Sequence, residues 1–307
     1  MSSFRETALQ NRIHTAIVPF SRLTDLRAEI ETFAATQELN DFTKFIVGQY
    51  EYAPKDPNFD IKSVIVVATP HPSFGDAIFE HGGKNYSVYY TAGAGNNEPR
   101  DYITKVVTDA GCKLEHTGFW FPNKRFAVQS GLCEYGRDNI AYLPGHGSYI
   151  AIDVYYSDMT PDEDLWRSVV TASVCEGCHA CEAVCPTGAI QYGKFLIDNS
   201  RCLCEANESP HPFPEFIPKD AHHALVGCLR CQYVCPMNAE ANKNTYPTVH
   251  FTEAETTRLL QGSPYEDVGA VLAEKFWTTE MNFAGDLPRN LCVCFDIIDG
   301  GGELALS

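Results

Sequence analysis

Apolar positions recur along the chain with two different periods. Leu26, Ile30 and Phe33 stand at helical spacing behind Thr24, a residue able to cap a helix start, so residues 1–60 read as a helical N-terminal segment. Ser63 to Thr69 is a β-branched run ending at Pro70, which predicts a buried strand, and Tyr86 to Thr91 is a weaker strand. Gly93-Ala94-Gly95 follows as a plain turn, since it lacks the third glycine and the later acidic residue of a dinucleotide site. Pro99 opens a helix in which Ile103, Val106, Val107 and Ala110 recur at i, i+3, i+4 and i+7, with Gly111 as its stop. Ser148 to Tyr156 closes the region as a strand. This alternation predicts a layered α/β cofactor-binding domain over 61–165. After Asn238 helix returns: Thr252 and Glu255 spell a capping box, Gly262 ends that helix, and Ser263-Pro264 starts another carrying Val268, Val271, Leu272 and Phe276. The segment 241–307 is thus a helical C-terminal piece expected to pack on both domains.

Residues 166–240 are where the chemistry lies. Eight of the thirteen cysteines, all from Cys175 to Cys235, follow a ligand pattern. The first run reads Cys175-x-x-Cys178-x-x-Cys181-x-x-x-Cys185-Pro186, the bacterial ferredoxin spacing, and Cys228-x-x-Cys231-x-x-x-Cys235-Pro236 repeats it without its first cysteine. In two-cluster ferredoxins the fourth cysteine of a run serves the other run's cluster. Cluster A then takes Cys175, Cys178, Cys181 and Cys235. Cluster B takes Cys185, Cys228 and Cys231, and its missing ligand comes from Arg201-Cys202-Leu203-Cys204, with Cys202 preferred and Cys204 in reserve. Structural zinc on Cys-x-x-Cys pairs is the competing reading, and the repeated three-residue gap before proline favours 4Fe-4S clusters. Cys112, Cys292 and Cys294 read as small buried hydrophobes.

Composition narrows the classes. In 307 residues, 44% are hydrophobic and 21% charged, which describes an ordinary buried core. Forty acidic residues against 23 basic ones give a formal charge of -17, a balance that argues against phosphate backbones and anionic lipid, so no nucleic acid and no membrane partner is expected. No apolar stretch nears the ~20 residues of a bilayer span, and the N-terminus shows neither a secretion pattern nor a twin arginine. The expectation is a cytoplasmic protein, in which so many thiols are accounted for by metal.

Further residues carry a family likeness. Ser130-Gly131-Leu132, Tyr135-Gly136-Arg137-Asp138-Asn139, the Gly147-Ser148-Tyr149 turn, the Cys175–Cys185 run, Arg201-Cys202 and Gly227-Cys228-x-x-Cys231-Gln232-x-x-Cys235-Pro236-x-Asn238 resemble the epoxyqueuosine reductase and reductive dehalogenase-like family over roughly residues 60 to 290. The resemblance implies an α/β (α+β) fold: a nitroreductase-like domain fused to a bacterial-ferredoxin-like two-cluster module, with helical termini. It supports Cys202 as the eighth ligand. It implies base-off cobalamin lying against Ser130, Gly131, Cys133, Tyr135, Gly136, Arg137, Asn139, Gly147 and Ser148, where bare backbone lets a flat ligand approach. Two positions depart from the family. Thr117, after His116, stands where the family's Val-Asp-Ser segment has its catalytic aspartate, and Cys133 replaces a glycine. His116, Thr117, Tyr135 and His146 are therefore the catalytic candidates, the histidines because they titrate near neutrality.

The implied function is an oxygen-sensitive iron-sulfur oxidoreductase that passes single electrons from two 4Fe-4S clusters to a cobalamin-type cofactor and reduces a small organic substrate. A low-potential ferredoxin or flavodoxin is the expected donor. The acidic balance argues against tRNA queuosine as substrate. The alternatives are an electron-transfer or reductive-activation protein serving a partner's corrinoid or flavin, and a flavin in place of cobalamin.

Overall fold

The computed structural model describes residues 8, 12–54, 56–91, 98–161, 163–262, 275–276 and 286–306. In chain order the strands are β1 (His14–Pro19), β2 (Ser63–Pro70), β3 (Gly75–His81), β4 (Lys84–Tyr90), β5 (Leu114–His116), β6 (Glu134–Tyr135), β7 (Ala141–Tyr142), β8 (Ile150–Ser157) and β9 (Val249–Phe251). The helices are α1 (Arg22–Thr36), α2 (Asp41–Gln49), α3 (Glu98–Asp109), α4 (Asn123–Gln129), α5 (Ala180–Val184), α6 (Leu203–Asn207), α7 (Arg230–Tyr233), α8 (Glu253–Leu260) and α9 (Leu287–Asp299). The chain divides into two compact units, 1–71 with 97–177, and 72–96 with 178–307. Strands and helices mix in both, an α/β architecture.

The first unit is built on an antiparallel sheet of order β1-β2-β8-β5. β2 lies in its interior, which is why Val64 to Ala68 can be apolar without alternation. Ile65 and Val67 face Ile103 and Val107 of α3, together with Ile17 and Tyr155. The N-terminal segment is not helical throughout: His14–Pro19 forms β1, pairing His14 with Ala68 through Pro19 with Ser63. Thr15, Ile17 and Val18 suit a pleated strand, and the 3.6-residue period begins only behind them. α1 starts at Arg22, so Thr24 lies inside its first turn rather than capping it. α3 ends as expected, with Gly111 at φ +77°.

In the second unit the sheet has the order β4-β3-β9, with β3 antiparallel to β4 and parallel to β9. The β3–β4 hairpin, grouped by sequence with 61–165, belongs here because its partner strand and core come from the C-terminal part. Phe79 stacks on Phe251 at 4.5 Å and Tyr86 on Phe295 at 4.0 Å. The capping box of α8 forms, Thr252 accepting from the Glu255 amide and Glu255 from the Thr252 amide. Phe276 is buried against Tyr90. Gly93 to Gly95, and the helix expected to carry Val268, Val271 and Leu272, lie outside the described residues. Among the described residues no helix is long and apolar enough to cross a membrane.

Candidate functional site

Both cysteine runs fold into the same local shape. Cys181 sits on the short helix α5 and Cys231 on α7, and these two helices pack together. A residue before proline is driven out of helical backbone. Cys185 and Cys235 accordingly adopt extended ψ values of 109° and 125°, turning each away from the helix it follows. Cys202 has ψ 125° between a 3-10 turn at Asn199–Arg201 and α6.

In the second unit the thiols of Cys202 and Cys228 are both raised, and Cys185 lies near each of them. Burial raises Cys202 and the neighbouring Cys185 adds to it; burial pushes Cys228 up to about 12, with Cys202 and Cys185 contributing. Thiolates so placed are costly unless a cation compensates, and an all-sulfur set is what iron-sulfur clusters use. Cys204 is engaged elsewhere, its Sγ donating to Glu208 Oε1 at 3.2 Å. Cys133 is fully buried, and burial pushes its thiol up to about 12, as a core cysteine.

The catalytic candidates of the first unit fall in separate places. His116 ends β5; its Nδ1 accepts the Gly118 amide at 3.0 Å, so the neutral ring carries its proton on Nε2, which faces Asp153 at 3.4 Å. Asp153 also receives Arg100, and although burial opposes ionisation, His116 and Arg100 hold its carboxyl below the usual range. Thr117 is buried and its hydroxyl donates to the Val154 carbonyl. His146, exposed in the Leu143–Gly147 turn, packs edge-on against His14 of β1, ring centroids 4.4 Å apart. β1 and β5 are opposite edges of the four-stranded sheet, so three strand spacings, roughly 14 Å, separate the two histidine sites. They cannot serve the same reacting atom.

The corrin-facing candidates have definite local duties. Tyr135 is buried under Lys124, whose Nζ lies 5.7 Å from the ring centroid. Gly136 is required by packing, since a Cβ there would stand 2.4 Å from Asp138 Oδ1. Asn139 takes φ +61° and its carbonyl accepts Lys124 Nζ at 2.7 Å. Arg137 Nη2 donates to the Cys175 carbonyl at 2.6 Å, tying this loop to the first cysteine of the ferredoxin-type run. The Ser130 hydroxyl donates to the Ala127 carbonyl, while Ser148 is buried beside Gly147, whose φ is +83°. Two features escaped the sequence reading. Asp153 was visible as a lone acid in an apolar strand; the contacts of Arg289 and Asn290 with Asn207 have no local signature.

Residues 174–238 match the 4Fe-4S double cluster binding domain family. The epoxyqueuosine reductase of Francisella cf. novicida (strain Fx1) is 28% identical over 181 residues, covering 54% of this chain and 47% of that protein. That of Atelocyanobacterium thalassa (isolate ALOHA) is 28% identical over 200 residues, 61% of this chain and 62% of the other. The chain thus matches about half to three-fifths of these curated relatives' length. Among solved structures, Bacillus subtilis epoxyqueuosine reductase, with its catalytic loop swung out of the active site, aligns with TM-score 0.62 and 18% identity over 96% of this chain and 80% of that one. An epoxyqueuosine reductase solved with an epoxyqueuosine-modified tRNA-Tyr stem loop aligns with TM-score 0.59 and 16% identity, again over 96% and 80%.

These findings overturn two expectations, that no nucleic acid is a partner and that tRNA queuosine is not the substrate. The error was to treat a whole-molecule charge of -17 as decisive. Net charge sums over the entire surface, whereas a stem loop meets only a local part of it. Residues 174–238 match the double 4Fe-4S cluster binding family, and the chain that carries them resembles the epoxyqueuosine reductases in sequence and fold.

Proposed function

We propose that this chain is an iron-sulfur reductase of the epoxyqueuosine reductase kind, acting on epoxyqueuosine carried by tRNA. The observation that carries the reading is the ferredoxin-type cysteine pattern from Cys175 to Cys235, in which Cys185 and Cys202 lie near enough to Cys228 to add to the rise that burial gives its thiol. Cys175, Cys178, Cys181 and Cys235 hold cluster A; Cys185, Cys202, Cys228 and Cys231 hold cluster B. With every iron bound to a protein thiolate, each cluster passes one electron and offers no open iron to a substrate. A cobalamin, held against the loops of Ser130, Gly131, Tyr135, Gly136, Arg137, Asn139, Gly147 and Ser148 in a nitroreductase-like first unit, would supply the two-electron reducing chemistry. In support, Gly131, Gly145 and Gly147 hold φ between +77° and +83° and present backbone without side chains, and a Cβ on Gly145 would meet nothing within 4 Å.

Proton supply differs from that of the family. The Thr117 hydroxyl is spent on the Val154 carbonyl. His116 is the donor we assign, its proton held on Nε2 against Asp153 and its ring oriented by the Gly118 amide. His146, on the far edge of the sheet, is not needed for that step.

Anaerobically reconstituted protein, desalted after incubation with hydroxocobalamin, should retain one corrinoid with a base-off spectrum, and under reduction should convert epoxyqueuosine in a tRNA stem loop to queuosine. His116→Ala should abolish turnover while His146→Ala retains it. Protein that keeps both clusters yet binds no corrinoid would refute the reading and leave only electron delivery to a partner.

A further inference from the structure

Resting on the ligand assignment for cluster B, we infer that Asn207 is the positioning residue that sets the spacing between its two ligand segments, and that Arg289 and Asn290 hold Asn207 in place. Cys202 leads into α6 and Cys228 lies in a separate loop, with no strand or helix ladder joining the two. Side-chain amides do. Asn207, fully buried at the end of α6, donates from Nδ2 to the carbonyl of Gly227 at 2.7 Å, the peptide directly before Cys228. Gly227 has φ +71°, and a Cβ there would come within 3.9 Å of Cys204 Sγ and 3.7 Å of Glu208 Oε1, so this turn lies close against α6.

The tie is anchored from outside the cysteine segment. The last carbonyls of a helix have no partner within it. Here α9 supplies partners from two adjacent residues. Asn290 Nδ2 donates to the Asn207 carbonyl at 2.9 Å and to the Leu225 carbonyl at 2.9 Å, bridging the same two segments a second time. Arg289 Nη2 donates to the Ala206 carbonyl at 2.9 Å, Nη1 donates to the Ser209 and His211 carbonyls, and the guanidinium lies 3.9 Å from the Phe213 ring centroid. Asn290 is itself 1% exposed. A cubane has fixed dimensions, so two ligand segments that drift apart cannot both stay bonded to it. The amide clamp selects the separation at which they can, and its hydrogen bonds run to the end of α6 and to Leu225 and Gly227.

The test uses the full chain reconstituted anaerobically with ferrous iron and sulfide, with Cys178→Ser and Cys202→Ser marking loss of clusters A and B. Asn207→Asp keeps size but turns an acceptor toward the Gly227 carbonyl. It should lose half the iron, and its dithionite-reduced paramagnetic resonance spectrum should match that of Cys202→Ser. Asn290→Ala keeps Asn207 and should retain both clusters with the midpoint potential of cluster B alone shifted. Asn207→Asp with full iron and the parent spectrum, or with both clusters lost in parallel, overturns the inference; if that variant is insoluble, an unshifted potential in Asn290→Ala does so. Should Cys202→Ser itself keep both clusters, the ligand assignment falls and the clamp with it, whereas loss of cluster B in Cys202→Ser but not in Asn207→Asp removes the clamp alone.

Discussion

Arg137 was expected to face a cofactor, and its side chain reaches the backbone of Cys175, the first cysteine of the proposed cluster A. Replacing it with methionine keeps much of the apolar stem and deletes the guanidinium that donates to the Cys175 carbonyl at 2.6 Å. Hydrogen bonds from charged groups contribute ~1.5–3 kcal/mol. Because Arg137 is only half-buried, water can replace part of that bond, and the lower end of the range, about 1.5 kcal/mol, applies. That is roughly a tenfold change in the equilibrium between the tethered and released Cys175 segment. On the proposed ligand sets, iron held through Cys175 should leave about tenfold faster, and iron in cluster B at the parent rate. The assay is anaerobic release to a ferrous chelator followed by cluster absorbance, which in Arg137→Met should become biphasic with half the amplitude in the fast phase. Arg137→Lys, with one donor on a shorter reach, should fall between. A release curve that superimposes on the parent, while Cys175→Ser accelerates it, would refute the reasoning.

Three other outcomes follow from the packing. Burial lowers His222 and His223 to about 4, with His223 Nε2 accepting the Leu229 amide. Unfolded rings bind protons below about pH 6.5 while the folded ones do not until about pH 4, so stability is complete above 6.5 and declines through that window, by about 2 kcal/mol per ring at pH 5. Denaturant titrations at pH 7.5 and 5 should show it, and His223→Gln should flatten the dependence. Gly136→Ala should cost ~1–3 kcal/mol by overpacking against Asp138 and Tyr142, whereas Gly145→Ala pays only the ~1–2 kcal/mol of its left-handed backbone, a difference that thermal melts can rank. Thr252→Ala should lower stability by ~1 kcal/mol through loss of the α8 cap, and an unchanged melting temperature would show that Lys275, bonded to Glu255 at 3.0 Å, carries that turn alone.

Local chemistry was legible because it depends on close neighbours in the chain. The Cys-x-x-Cys and Cys-x-x-x-Cys-Pro spacings dictate short helical turns with an extended exit before proline, and Cys185 and Cys235 show that exit. Ser63 to Thr69 and the 3.6-residue rhythm of α3 likewise state their own conformation. Charge misled where it was summed over the whole surface, since recognition depends on local arrangement.

Distance along the chain hides everything else. Pairing of β1 with β2 spans about fifty residues, so the strand character of His14–Pro19 becomes decisive only when β2 offers its edge. The same applies to the β3–β4 hairpin, whose allegiance is set by Phe251 and Phe295 far downstream. His116 and His146 are both candidates in a linear reading; the sheet order puts them on opposite edges and gives His116 a buried carboxylate partner. Cys202 was preferred to Cys204 by the count and by the family likeness; the contact of the Cys204 thiol with Glu208 becomes visible only in the fold. Covalent spacing can announce what a segment is able to bind. Which thiols, carbonyls and amides meet is settled by burial and by the hydrogen bonds that burial makes obligatory.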